Sequence, residues 1–299
     1  VIYPYGSLKF PTPFSDTSVD NIRDEDGRID QFAPIDLKIS DKRLIENLNQ
    51  RIEDSKTYFD DAQGYNLSVK RSENLRMYLG VQVDGADFYE QEEPYIENQI
   101  RGAVESIVTY CTARSPQSEV TKGNATPEAS KFAQNLRKAH AQHSVDFDLR
   151  GLLAILVRNW LLNQESYVML EFDPSYGENG EIIPSVIPSD EIVVDKNARY
   201  GENPGFITKY EKSSVEELIY TYPDKKKEIL VSQGIERIGR RNIATEIVIK
   251  KTWFTYYDGT GPKEAMCVWF DDIMLEKTQD LNWLEGRRNF LRAPMKPII

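Results

Sequence analysis

The chain has 299 residues and a mass of 34.4 kDa, a length at which folding buries roughly three quarters of the surface exposed in the unfolded chain. Lys and Arg number 37 against 48 Asp and Glu, giving a net charge of −11 and a pI near 4.9, which excludes bulk attraction to nucleic acid or to an anionic membrane. Hydrophobic residues at 40% and aromatic residues at 11% exclude a disordered chain and predict a folded, soluble one.

Residues 1–38 contain Pro4, Pro11, Pro13 and Pro34 without a sustained period, the pattern of an extended arm. From Ser40, a residue suited to N-capping, Leu44, Ile45, Leu48 and Ile52 recur at helical spacing until Gly64, predicting one amphipathic helix with a charged opposite face. A short helix is expected over Ser72–Leu79, ending at Gly80. Pro94 then opens a helix whose apolar face carries Ile96, Ile100, Ala103, Val104, Ile107, Val108 and Cys111, which makes Cys111 a small core residue.

Thr126-Pro127-Glu128 starts a further helix, running to about His143, with an apolar stripe of Phe132, Leu136 and Ala139. The next helix is expected over Asp146–Asn163; Leu149, Leu152, Leu153, Leu156, Trp160 and Leu161 make it apolar over much of its circumference and therefore central to the packing. After Gln164 the pattern becomes extended. Short β-rich runs at Tyr167–Phe172, Ile182–Ile187, Ile192–Asp195 and Phe206–Tyr210 are punctuated by Gly and Pro, predicting a mixed or antiparallel sheet.

Ser214 and Glu217 have capping-box spacing ahead of Leu218 and Ile219, and Pro223 precedes a Lys225-Lys226-Lys227 helix that Gly234 closes. Two long strands follow, Thr245–Tyr257 and Glu264–Phe270, joined by the hairpin loop Asp258-Gly259-Thr260-Gly261 before Pro262. The expected class is α+β, amphipathic helices packed on a sheet. No internal repeat is visible.

The residues able to carry chemistry are few. Cys111 and Cys267 lie far apart in no CxxC arrangement, so neither a disulfide framework nor a zinc knuckle is expected, and a reducing compartment is the default. His140 and His143 sit at i and i+3, but a metal site needs further convergent ligands, and capping and solvation explain both. The carboxylate pairs Asp24-Glu25-Asp26, Glu92-Glu93, Glu216-Glu217 and Asp271-Asp272 are adjacent in sequence, and adjacent side chains diverge on a helix or strand. No phosphate-binding glycine motif, GxSxG or HExxH occurs.

The longest apolar stretch, around Leu152–Leu162, is too short and too interrupted to span a bilayer, and no basic segment followed by an apolar one opens the chain. Val1 at the start and Pro294-Met295-Lys296-Pro297-Ile298-Ile299 at the end are what a segment of a longer protein would show. The aromatic residues on the hairpin region admit two readings, cross-strand core packing and interface anchors. Trp253, Tyr257, Trp269 and Trp283 are the candidate interface.

The order of segments carries more than any one of them. A helix ending Arg76-Met77-Tyr78-Leu79-Gly80 is followed by Glu97-Asn98-Gln99-Ile100 opening the next, and a later helix leads into Tyr167-Val168-Met169-Leu170-Glu171-Phe172-Asp173-Pro174. Then come Val186-Ile187-Pro188-Ser189-Asp190-Glu191-Ile192-Val193-Val194-Asp195, the helix ending Tyr222-Pro223-Asp224, the Trp253 hairpin, and Asn289-Phe290-Leu291-Arg292-Ala293-Pro294-Met295-Lys296-Pro297. Over residues 65–299 this order resembles the first half of tailed-bacteriophage portal proteins.

The resemblance implies an arm and first helix over 1–64 and a wing domain over 65–299, helical through 72–163 and sheet-rich over 164–299; stem, clip and crown are not in this chain. It implies a structural subunit, usually dodecameric, forming a ring at the unique capsid vertex. Double-stranded DNA would pass through it without sequence specificity during packaging and ejection. The implied partners are identical copies, the major capsid protein, terminase and a head-tail adaptor, with no membrane, no enzymatic activity and no cofactor. The implied location is the virion, after assembly in the host cytoplasm. A metal-dependent carboxylate hydrolase and a monomeric virion adaptor module are the alternatives.

Overall fold

The computed structural model describes residues 35–61, 67–81, 98–114, 126–173, 175, 180–196, 205–234, 246–257, 262–279 and 290–294. The helices among them are α1 (Asp41–Asp61), α2 (Leu67–Leu79), α3 (Gln99–Cys111), α4 (Pro127–Asp146), α5 (Leu149–Asn163), α6 (Val215–Thr221) and α7 (Lys226–Ser232). The strands are β1 (Glu165–Asp173), β2 (Glu181–Ile187), β3 (Ile192–Val194), β4 (Phe206–Ser214), β5 (Glu246–Tyr257), β6 (Pro262–Phe270), β7 (Ile273–Gln279) and β8 (Phe290–Pro294). They form two antiparallel sheets, one of three strands in the order β2-β1-β8 and one of five in the order β3-β4-β5-β6-β7. The fold is α+β.

Alternation along β5 decides how the five-stranded sheet is covered, because successive side chains point to opposite faces. Phe254 and Tyr256 join Leu44, Ile45, Leu48 and Ile52 of α1, with Cys267, Trp269 and Met274, in one buried cluster. Ile247 and Ile249, on the other face, meet Val215 and Leu218 of α6 and Ile229 of α7. Further along that face, Trp253 packs with Tyr167, Met169 and Ile187 of the three-stranded sheet and with Ile192, Val194 and Ile207. Both faces are therefore dry. The one polar contact buried at the β4–β5 seam, Thr208 against Thr252 in register, is satisfied by a hydroxyl–hydroxyl hydrogen bond of 2.7 Å.

The first helix starts one residue after Ser40, whose carbonyl accepts the Leu44 amide at 2.9 Å, and its apolar stripe is buried as its spacing predicts. It is tied down from the sheet: Lys250 Nζ donates to Asn49 Oδ1 at 2.7 Å, and Lys277 Nζ donates to the Leu37 carbonyl at 2.8 Å. Burial pushes the Lys250 ammonium below its ordinary pKa, with Lys56 adding repulsion.

Several expectations need correction. α2 begins at Leu67, earlier than Ser72. α3 begins at Gln99, where the Asn98 side chain accepts the Arg101 amide at 2.9 Å; Pro94 and Ile96 lie outside the described residues. The helix from Thr126 runs past His143 to Asp146, and Leu149–Asn163 is a separate helix: Asp148 adopts the left-handed conformation (φ 42°) and caps Gly151 N at 3.1 Å. The break expected between His143 and Asp146 thus falls at Phe147 and Asp148. α5 is central to the packing as expected, meeting α2, α3, α4, β1 and β2, but it is only partly covered. Leu162 alone is fully buried, while Ile155 is 43% exposed.

The Ser214 cap forms, accepting the Glu217 amide at 3.2 Å, although the Glu217 carboxylate accepts from Ser213 Oγ instead of reaching back to Ser214 N. β7 and β8 were not anticipated as strands. The turn between β6 and β7 is made by Asp271 and Asp272, with Asp271 at φ 46° and Phe270 paired to Ile273. That pair of carboxylates is turn chemistry. On β2, an outer strand, Pro184 stands opposite Leu170, where a missing amide is tolerated.

Candidate functional site

His143 Nε2 lies 2.8 Å from Glu181 Oε1 and its ring packs on Phe147 at 5.1 Å, so it fastens the end of α4 to β2; His140 faces solvent. No group of three or more His, Cys, Asp or Glu converges among the described residues. Glu216 and Glu217 are exposed in the first turn of α6, where carboxylates complement the helix dipole. Asp24-Glu25-Asp26 and Glu92-Glu93 lie outside the described residues. Cys267 is fully buried and its thiol is pushed up to about 12 by that burial. Cys111 is exposed, contrary to the core position expected for it.

One polar cluster is well built. Glu105 of α3 receives Arg158 of α5 through two parallel bonds, Nε to Oε1 at 2.8 Å and Nη2 to Oε2 at 3.0 Å, and Tyr78 of α2 donates its hydroxyl to the same carboxylate. Arg101 lies over the Tyr78 ring at 5.9 Å. The Arg158 hydrogen bonds, then that of Tyr78, hold the Glu105 carboxyl down to about 2, while the carboxylate raises the Tyr78 phenol. It is a three-helix fastener, joining α2, α3 and α5 through one carboxylate.

A cleft of about 820 Å³ runs between α1, α2, α5 and the start of the sheets, with Arg71, Asn159, Glu165 and Ser189 on its walls. Arg71 donates to the carbonyls of Asn163 at 3.2 Å and Ser189 at 3.4 Å and stands 3.6 Å from Glu165. Asn74 donates to the Leu162 carbonyl at 2.8 Å. Those contacts satisfy carbonyls at the C-terminal end of α5 that have no intrahelical donor. Arg71, Glu165 and Ser189 of the cleft are thus committed to the fold.

The remaining candidate is a surface. On α3 the face carrying Val108 and Thr112 is buried, while Ile100, Ala103, Ile107 and Tyr110 face solvent, Tyr110 at 85%. Of the twenty residues of α4 only Ala133 is buried; Phe132 is 68% and Val145 76% exposed. Scattered exposed apolar residues are ordinary, but a row at helical spacing along a helix is the mark of a contact surface.

The candidate interface read from sequence falls elsewhere. Trp253 and Trp269 are core residues, 2% and 0% exposed, Trp253 making an edge-on contact with Phe290 of β8 at 4.6 Å between ring centres. Strand alternation turns both inward, away from any partner. Tyr257 ends β5 opposite Pro262, and Trp283 lies outside the described residues. The α3 and α4 stripes were legible as apolar spacing; Val108 of α3 is buried, and placing Cys111 in the core was the error. No family model matches the chain, and no curated protein matches it. No helix of the described residues is long and apolar enough to cross a membrane.

Proposed function

We propose that this chain is a structural subunit of a phage portal ring, its wing portion, forming part of the conduit through which double-stranded DNA is packaged and released. The observation that carries the reading is the contrast between a five-stranded sheet covered on both faces and helices α3 and α4 whose apolar rows are left uncovered. That contrast belongs to a subunit finished by its neighbours. The order of motifs over residues 65–299 is what the portal reading draws on, and the Glu105 cluster serves it as a fastener of the wing helices. A charge of −11 keeps contacts with a sliding polyanion weak. In this reading capsid protein, terminase and a head-tail adaptor dock on the ring, in the virion.

Native mass measurement and electron microscopy of the full-length protein test the proposal. A closed ring of about a dozen copies is expected. A persistent monomer that joins one copy of a different virion protein would replace it with the adaptor reading, and stoichiometric binding of a divalent ion with hydrolysis of an ester substrate would replace it with the hydrolase reading.

A further inference from the structure

β3 stands at one end of the five-stranded sheet and pairs with β4 alone among the described strands. Bonded residues alternate along an antiparallel pair, and the Asp195 amide, donating to the Phe206 carbonyl at 3.1 Å, fixes the phase. Val193 therefore bonds to Thr208, while the N–H and C=O of Ile192 and Val194 point away from the sheet. The next amide on that outer side, of Lys196, donates to Ser55 Oγ of α1 at 3.2 Å. Ile192 and Val194 have no such partner among the described residues. Both line the cleft of about 820 Å³, and they are only 6% and 3% exposed. Backbone groups so nearly buried are paired in almost every folded protein.

Two peptide groups spaced one residue apart, each with a donor and an acceptor, match the ladder of an extended chain. Leu75, Ile155 and Leu162 line the same cleft from α2 and α5, so the chain it receives carries apolar side chains. Such a chain starts close by. Ile35 bridges Tyr256 on the side of β5 that β4 leaves open beyond Phe206. The chain ahead of Ile35, outside the described residues, therefore leads off in line with β4, one strand from β3.

That arm is 34 residues long, and its prolines narrow the choice, because proline removes a ladder amide. Pro4, Pro11, Pro13 and Pro34 leave two proline-free runs of any length, residues 5–10 and 14–33. The longer carries six carboxylates against two arginines, a charge that apolar walls oppose. In the shorter, Leu8 and Phe10 alternate with Ser7 and Lys9, the period of a strand, and Lys9 is the single charge. The 24 residues between Phe10 and Ile35 can span about 80 Å, many times the spacing of neighbouring strands. We propose that residues 5–10 of the same chain lie in the cleft as an added strand on β3, paired to the peptide groups of Ile192 and Val194. The tether makes the pairing intramolecular, so a run of six residues suffices. This placement does not rest on the portal reading.

Amide hydrogen exchange on the full chain, resolved by NMR at two protein concentrations, tests the placement. Wild type is compared with Leu8→Asp/Phe10→Asp, which removes the apolar side chains, and with Leu8→Pro/Lys9→Pro, which removes an amide on each side of the run. In both variants the amides of Ile192 and Val194 are expected to exchange at least about tenfold faster, while that of Val193, bonded to β4, is unchanged. Equal exchange in wild type and variants overturns the proposal. So does faster exchange of all three amides, which means a general loosening. Protection that survives the proline variant means cover without a ladder and overturns it too. Protection that falls on dilution gives the strand to a neighbouring copy and overturns the intramolecular placement.

Discussion

Glu105 shows how much one carboxylate can organise. It joins α2, α3 and α5 through Tyr78 and Arg158, and its pKa is held to about 2. The lowered value means that the ionised form is favoured in the folded state, so the stabilisation is fully present above the ordinary glutamate range near 4.5 and is lost as pH falls toward 2. Thermal melts between pH 6 and pH 2 should show this loss, and Glu105→Gln should flatten it; equal slopes for the two proteins would contradict the assignment. The side chains are about one third exposed, which screens the pair and keeps the effect modest.

The cysteines offer a second readout at this scale. Cys111 should react with a thiol reagent in the folded protein, and Cys267, buried with its thiol near 12, only after unfolding. Gly151 gives a third. A β-carbon there would stand 2.1 Å from Asp148 Oδ2, so Gly151→Ala displaces the cap of α5 and should cost about 1 kcal/mol in urea unfolding.

Elements differ in how firmly they are held, and the difference follows the burial of their apolar rows. α1 buries Leu44, Ile45, Leu48 and Ile52 almost completely, whereas α4 buries Ala133 alone. Hydrogen exchange on the isolated subunit should therefore find the amides of α4 opening well before those of α1; equal protection would show that α4 is held by more than its visible contacts. Trp253 joins the two sheets, and Trp253→Ala should cost about 3–5 kcal/mol, with Trp253→Phe costing less.

The same rows explain what the sequence made legible. Periodicity places helices and strands because it reflects which side of an element is apolar, and α1, β5, β6 and the Thr126 and Ser214 caps were all readable in that way. It does not state whether the covering surface is in the same molecule, which is why Cys111 was misplaced in the core. Aromatic richness carried the opposite ambiguity, and Trp253 and Trp269 fell on inward strand positions. The break between α4 and α5 was legible, and only its place moved by a few residues, because the left-handed Asp148 that caps α5 sets it.

At the scale of the whole molecule the α+β class followed from the order of elements, while the division into two sheets did not. It depends on β8 returning to β1 across more than a hundred residues, and no local signal in Phe290–Pro294 names that partner. The portal reading makes its prediction at this scale: copies should assemble without new strand pairing, seen as an unchanged circular-dichroism spectrum between dilute and concentrated full-length protein.

The outer position of Pro184 bears on that choice. A strand laid along the free side of β2 would find no amide at the midpoint of the ladder, so stacking of one molecule's sheet onto another's is discouraged at that border. Growth by runaway ribbon formation is thereby handicapped. Any association at that border would have to run through side chains, whose shapes and charges can fix an angle where a shared ladder cannot.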